Sequence, residues 1–432
     1  MVRVASLVPA VLTLFLAAGP GLAQPAPAPD GAVPTVQPEA PPPPPPAIAP
    51  APIQPVDVTT LAAPDAFTTA ARDTGLPPTL WRGTSLPVLQ AVLPLLAERP
   101  LPPAAAALAR RVLGTGAQGP AGALQKPELA GLRAQALMTQ GDPKGAATIL
   151  ARAPGLDRNA AVARAAAESA LLAGDDPRAC QIEHALTDGR DDIYWMRLRA
   201  YCQAIAGQGA QAQLTFDLAQ SQAKDAVYGR LMAAKIASAG DPGPPSLRNG
   251  LDYALSRNLG LDLAAAKPAP AVAAALVQGD PADPKWDLSA LAPDLAPAAA
   301  AIAAGPLPAA ELERLLGAAD DKDPKARARA AAAALVAEPF AEPLGPPLRA
   351  RMAALAIPEG KAPAGRNLAL EDAAAAKRMG ETVLLALWTC AETPATTGLA
   401  AADRARIVRG LRRVGLEADA RAFALEGLLA IK

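Results

Sequence analysis

Four glycines, Gly141, Gly174, Gly207 and Gly240, follow one another at intervals of 33 residues. Seven residues before each stands an alanine (Ala134, Ala167, Ala200 and Ala233). Five residues after the first three stands another (Ala146, Ala179 and Ala212), while the fourth copy has Pro245 there. A fixed period of this length means that one small structural unit is stacked on copies of itself. The stretch before each glycine is helix-permissive, as in Leu132-Arg133-Ala134-Gln135-Ala136-Leu137-Met138. Glycine ends such a helix because it enters the left-handed region without a Cβ penalty. Gly141-Asp142-Pro143 and Gly174-Asp175-Asp176-Pro177 then supply an Asp able to cap and a Pro at an early position of the next helix. The alanines let two antiparallel helices approach closely. The pattern predicts repeated helical hairpins, and with no alternating run of β-branched residues the class is all-α.

Small residues at the crossing of the first helix, Gly at the turn and Ala in the second helix resemble the tetratricopeptide repeat, at Ala134, Gly141 and Ala146 and their copies. The period is one short of that family's roughly 34 residues. Its Trp and Tyr positions are mostly Ala or Leu here, and its closing proline is missing. The resemblance spans about a quarter of the chain, with an echo at Val408, Gly415 and Ala420. In style the chain is similar to Ala-rich exported helical-repeat proteins of proteobacteria, mostly without assigned function. The resemblance implies a TPR-like α-solenoid that acts as a partner-binding scaffold, and it implies no chemistry.

Residues 1–23 read as a secretory signal, with Arg3 in the positive leader, an apolar run from Val4 to Ala18 and Gly21-Leu22-Ala23 at the cleavage point. The apolar run contains Pro9 and is shorter than the ~20 residues a membrane span needs. Cleavage before Gln24 is therefore expected, leaving no integral membrane span and placing the chain in the periplasm. Residues 24–56 form the next segment. Fourteen of the 32 residues from Gln24 to Pro55 are proline, which closes helix and sheet and favours a disordered polyproline II tether. Beyond it we expect an N-terminal helical-repeat region over 57–240, a Pro/Gly-rich joint with short helices over 241–308 and a C-terminal helical region over 309–432. Within the last, Asn367 to Cys390 reads as the longest continuous helix, and Ala401 to Ala430 as two helices divided at Gly415.

The chain carries 41 basic and 41 acidic residues, so it lacks the basic footprint that nucleic-acid binding requires. Cys180 and Cys202 flank the turn Asp188-Gly189-Arg190-Asp191-Asp192, and in an oxidising compartment they are expected to form a disulfide. His184 shares a helical face with Cys180, so a zinc site of Cys180, His184 and Cys202 is the competing arrangement; export favours the disulfide. Cys390 is left over as a small apolar residue. The densest aromatic stretch of the mature chain offers Tyr194, Trp195, Arg197 and Tyr201 as a candidate partner surface. In the plainer reading Trp195 and Leu198 fill the core.

Ser221-Gln222-Ala223-Lys224 spells the S-x-x-K of penicillin-binding proteins, but their K-T-G is absent. Glu168-Ser169 is similar to the catalytic Glu-Ser of lytic transglycosylases. Flanked by Ala165-Ala166-Ala167 and without an aromatic platform for sugar rings, Glu168 reads as a helix-surface glutamate. No cofactor motif and no metal site is expected. Arg404, Arg406, Arg409, Arg412 and Arg413, with acids just beyond, read as a solvated helix face. The expected role is a non-catalytic scaffold or adaptor for another cell-envelope protein. The alternatives are a peptidoglycan-modifying enzyme with Glu168 as its acid, or an envelope spacer.

Overall fold

Gly141, Gly174 and Gly207 stand in the left-handed region, with φ of 97°, 84° and 76°. At each, the next amide reaches back over the helix end: Asp142 N to Leu137 O at 2.8 Å, Asp175 N to Ala170 O at 2.8 Å and Gln208 N to Gln203 O at 2.9 Å. These bonds satisfy carbonyls that a helix terminus leaves open. They close α3 (Glu128–Thr139), α5 (Ala160–Ala173) and α7 (Ile193–Ile205) and turn the chain into α4 (Pro143–Leu150), α6 (Asp176–Ala185) and α8 (Gly209–Gln222). Asp142 and Asp175 then cap α4 and α6 through Gly145 N and Arg178 N. Ala134, Ala146, Ala167, Ala179, Ala200 and Ala212 are fully buried. Gly240 also has a positive φ, 93°, yet Ala233 is exposed. It lies on α9 (Ala226–Ala237), which leads into Pro242, Pro244 and Pro245 and so has no helix immediately after it to cover that alanine.

The structure, a computed structural model, describes residues 65–432 apart from 152, 154, 278–282, 395 and 432. The expected signal and tether, 1–56, lie outside the described residues. Nineteen α-helices and no strand are found among the described residues, with one isolated bridge between Leu307 and Ala341. The chain is all-α. The first two helices are α1 (Leu86–Glu98) and α2 (Pro103–Gly114). After α9 come α10 (Gly250–Asn258), α11 (Pro270–Leu276), α12 (Ala296–Ala304), α13 (Ala309–Ala318), α14 (Pro324–Ala337) and α15 (Pro346–Ala353). The chain ends in α16 (Ala364–Ala375), α17 (Met379–Glu392), α18 (Ala401–Arg413) and α19 (Glu417–Ala430).

The stretch from Asn367 to Cys390 is two helices rather than one. Lys377 adopts φ 58° and Arg378 N bonds Ala373 O at 2.9 Å, the same closure that the glycines make. Leu370 and Thr382, at the offsets the alanines occupy elsewhere, are buried. Gly415 makes the closure once more, with Leu416 N on Leu411 O at 2.9 Å.

Packing does not follow chain order. α1 rests on both α3 and α17, and α2 on α3, α17 and α19. Gly380 N donates to Leu80 O at 3.0 Å and Ser85 N to Glu381 Oε2 at 2.9 Å, so the first and last helices share a seam. The segment 241–308 holds short helices that turn back on the others: α10 lies on α5, α11 on α3 and α5, and α12 on α19. Beneath the seam, Arg133 on α3 is fully buried. Its guanidinium donates to Leu113 O (2.7 Å), Ala66 O (2.8 Å), Thr69 O (3.0 Å) and Thr115 O (2.8 Å). Burial pulls its pKa down to about 9, still above neutral, so a cation is held there by carbonyl dipoles.

Cys180 on α6 and Cys202 on α7 form a disulfide with their Cα atoms 5.5 Å apart. For a loop of this length the chain-entropy model gives about 3 kcal/mol of stabilisation. Both sulfurs are consumed by that bond, so neither is free to bind zinc beside His184.

Candidate functional site: a cleft under the returning segment

Where α10 and α11 lie across the stack they enclose a cleft of about 620 Å³ between themselves and α3, α5, α7 and α9. Two residues of α5 face it one turn apart, Arg164 and Glu168, of opposite charge and spaced to pair. They do not form a salt bridge. Arg164 lies over the Tyr194 ring, its guanidinium carbon 4.5 Å from the centroid. Glu168 Oε2 accepts from Gly250 N at 2.7 Å, pinning the N-terminus of α10. That approach needs glycine, since a Cβ at position 250 would sit 2.7 Å from Glu168 Oε2.

The rest of the polar lining is largely spoken for. Arg248 bonds Asp225 Oδ2 at 3.0 Å and Asp252 Oδ2 at 2.6 Å, and Arg197 stands 3.5 Å from Asp225. These groups tie the returning segment to the start of α9. Asp192 caps α7 through Tyr194 N at 2.8 Å. The Tyr228 hydroxyl donates to Arg197 O at 3.1 Å.

Three buried atoms in the lining have no hydrogen-bond partner of good geometry: Glu168 Oε1, Tyr194 Oη and Arg197 Nε. Leaving a buried polar atom unpaired costs about 1–3 kcal/mol. Burial raises the pKa of the Glu168 carboxyl, an effect that its bond to Gly250, the nearby Tyr194 hydroxyl and the Arg164 charge offset only in part. Burial and the neighbouring Glu168 likewise raise the Tyr194 phenol. The arrangement is a desolvated acid and a phenol beside an open guanidinium, able to accept and donate hydrogen bonds to a ligand.

Several residues singled out in the sequence stand elsewhere than expected. Trp195 and Tyr201 are 1% and 0% exposed, so they belong to the core and present no partner surface. Tyr201 Oη accepts from Asn258 Nδ2 at 2.7 Å. Tyr194, 8% exposed, and Arg197 line the cleft. The period of an amphipathic helix directs all three aromatics inward, and local aromatic density alone could not show it. Glu168 is no helix-surface glutamate: it is half-buried and its Oε1 is shut from solvent. Its covering wall comes from Gly250, 82 residues further on. Sequence reasoning missed Asp225, Arg248 and Asp252, whose only signal is their pairing, and Arg164, whose only signal is its spacing of four from Glu168.

Of the C-terminal arginines, Arg404 is buried and bonds Phe423 O at 2.9 Å, while Arg409 and Arg412 pair with Glu338 (2.7 Å) and Glu417 (2.8 Å). Cys390 is buried on α17, where desolvation pushes its thiol pKa up to about 12 and keeps it un-ionised. No helix among the described residues is long and apolar enough to cross a membrane. No family model, curated protein or solved structure matches the chain.

Proposed function

We propose that the chain is an exported, non-catalytic scaffold of TPR-like helical repeats that binds another protein of the cell envelope. The observation that carries this reading is α8. Only Ala212 and Ala219 of its fourteen residues are buried, while Leu214 and Leu218, one turn apart, are 73% and 57% exposed. Large exposed aliphatics at i and i+4 suit docking into a partner's apolar groove. The helix behind them is held firmly, because α8 packs on α7 and α7 is cross-linked to α6. The leader pattern of residues 1–23 and the disulfide support an oxidising compartment.

Cross-linking of the tagged protein in intact cells, read by mass spectrometry, tests it. One recurrent envelope protein should be captured, and Leu214→Asp with Leu218→Asp should abolish its capture. Capture that ignores both substitutions would overturn the assignment of α8.

A second reading, a peptidoglycan-cleaving enzyme, is favoured by the position of Glu168 in the cleft with its pKa raised, as a general acid requires. Muropeptide release from isolated sacculi, lost in Glu168→Gln, would support it. No release by the unaltered protein would remove it.

A further inference from the structure

The cleft offers a second binding function, independent of the adaptor surface on α8. Its charges nearly cancel internally: Arg197 and Arg248 are matched by Asp225 and Asp252, and Asp192 is spent on the N-terminus of α7. Arg164 and Glu168 are left over. They stand one turn apart on the same wall, opposite in sign and unpaired with each other. Arg164 makes no ion pair among the described residues, and Glu168 Oε1 is buried with only the Tyr194 hydroxyl near it and no bond of good geometry. Beside them Tyr194 Oη is buried and unpartnered too, on a side chain 8% exposed. The lining also carries aliphatic side chains, Met138, Leu172, Ile193 and Val272.

What fits is constrained by what is already covered. The ring of Tyr194 is faced by Arg164, and that of Tyr228 by Arg197 at 5.3 Å. Sugar rings, which stack on open aromatic faces, therefore find no platform. The returning segment, bonded across from Gly250 to Glu168 and from Arg248 to Asp225, forms one wall of the cleft. A volume of about 620 Å³ lies in the range of small-molecule pockets.

We propose that this cleft binds a small aliphatic zwitterion of the free amino-acid class. Its carboxylate meets Arg164, its ammonium meets the Glu168 carboxylate beside Tyr194, and its side chain rests on the aliphatic residues of the lining. Arg164 is the natural anion partner because its planar guanidinium can take a carboxylate through two parallel bonds. The ammonium supplies donors to two oxygens that the protein otherwise leaves to each other.

Titration calorimetry on the full chain tests this with L-alanine, L-valine and L-leucine as probes. Two analogues of leucine follow: L-leucinamide, without the carboxylate, and 2-hydroxy-4-methylpentanoate, without the ammonium. N-acetylglucosamine is the sugar control. At least one amino acid should bind saturably, and each analogue of leucine should bind at least tenfold more weakly than leucine itself. Arg164→Gln, at an exposed position, and Tyr194→Phe, which keeps the ring, should each weaken amino-acid binding at least threefold. Leu214→Asp should leave it unchanged, which separates this site from the adaptor surface. No saturable heat with any of the three amino acids up to millimolar concentration would overturn the proposal. So would binding indifferent to Arg164→Gln and Tyr194→Phe, or binding of N-acetylglucosamine alone.

Discussion

Arg133 on α3 and Glu168 on α5 are ionisable groups withdrawn from water on helices that pack together, and the fold treats them oppositely. Arg133 meets four carbonyl oxygens, with four of its five N–H donors bonded and no carboxylate in contact. Glu168 keeps one oxygen on Gly250 and leaves the other with only the Tyr194 phenol beside it, without a bond of good geometry. The first arrangement joins α2, α3 and the segment before α1 into one block. The second holds polar capacity in reserve at a free-energy cost, as sites built to receive a ligand do. Buried charge is therefore not one kind of feature in this molecule.

The comparison breaks first at Arg133. Arg133→Ala removes the donors of four buried carbonyls and leaves a void, and should cost roughly 3–5 kcal/mol, read as a fall in the urea midpoint. An effect under 1 kcal/mol would mean that the carbonyls are satisfied by water and that the two regions are alike.

Glu168→Gln should act in the other direction and with pH. Because the folded pKa is raised above the usual carboxylate value, the folded state holds that proton more tightly than the unfolded chain. Its contribution is complete below the unfolded pKa and is lost as pH rises through the folded pKa. Thermal midpoints recorded from pH 4 upward should fall less steeply for Glu168→Gln than for the parent, and the two curves should separate most at neutral pH. Parallel curves would show that the carboxyl is solvated.

Tyrosine hydroxyls sharpen the same contrast. Tyr228→Phe loses a bond to Arg197 O and should cost about 1 kcal/mol. Tyr194→Phe removes a hydroxyl that has no bond of good geometry and should be close to neutral by the same urea measurement.

The smallest change lies outside both sites. Lys377→Gly relieves a left-handed lysine and should raise stability by no more than about 1 kcal/mol. The gain is reduced by loss of the Lys377 Nζ bond to Arg413 O.

That lysine also marks how far the sequence could be read. The hairpins at Gly141, Gly174 and Gly207 were legible because glycine announces the turn that its backbone makes. The turn between α16 and α17 has the same closure, but a lysine hides it inside an unbroken helix-forming run. The disulfide was legible because an antiparallel hairpin brings residues on either side of one turn together. The cleft was not. Arg164 and Glu168 sit in an Ala-rich helix like any solvated pair, and only a segment returning from beyond α9 buries one and faces the other. Nothing local distinguishes a glutamate that will be covered from one that will not.

The shared seam of the first and last helices has a consequence in time. Ser85 N bonds Glu381 and Ala104 N bonds Glu426, across 296 and 322 residues of chain. A polypeptide that emerges amino end first has α1 and α2 ready while the helices that cover them have yet to appear. The cost of bringing such distant ends together grows only logarithmically with separation, so the penalty falls on rate more than on final stability. Until α17 and α19 arrive, Leu89, Leu93 and Leu108, buried in the finished protein, belong to helices that still lack their last neighbours.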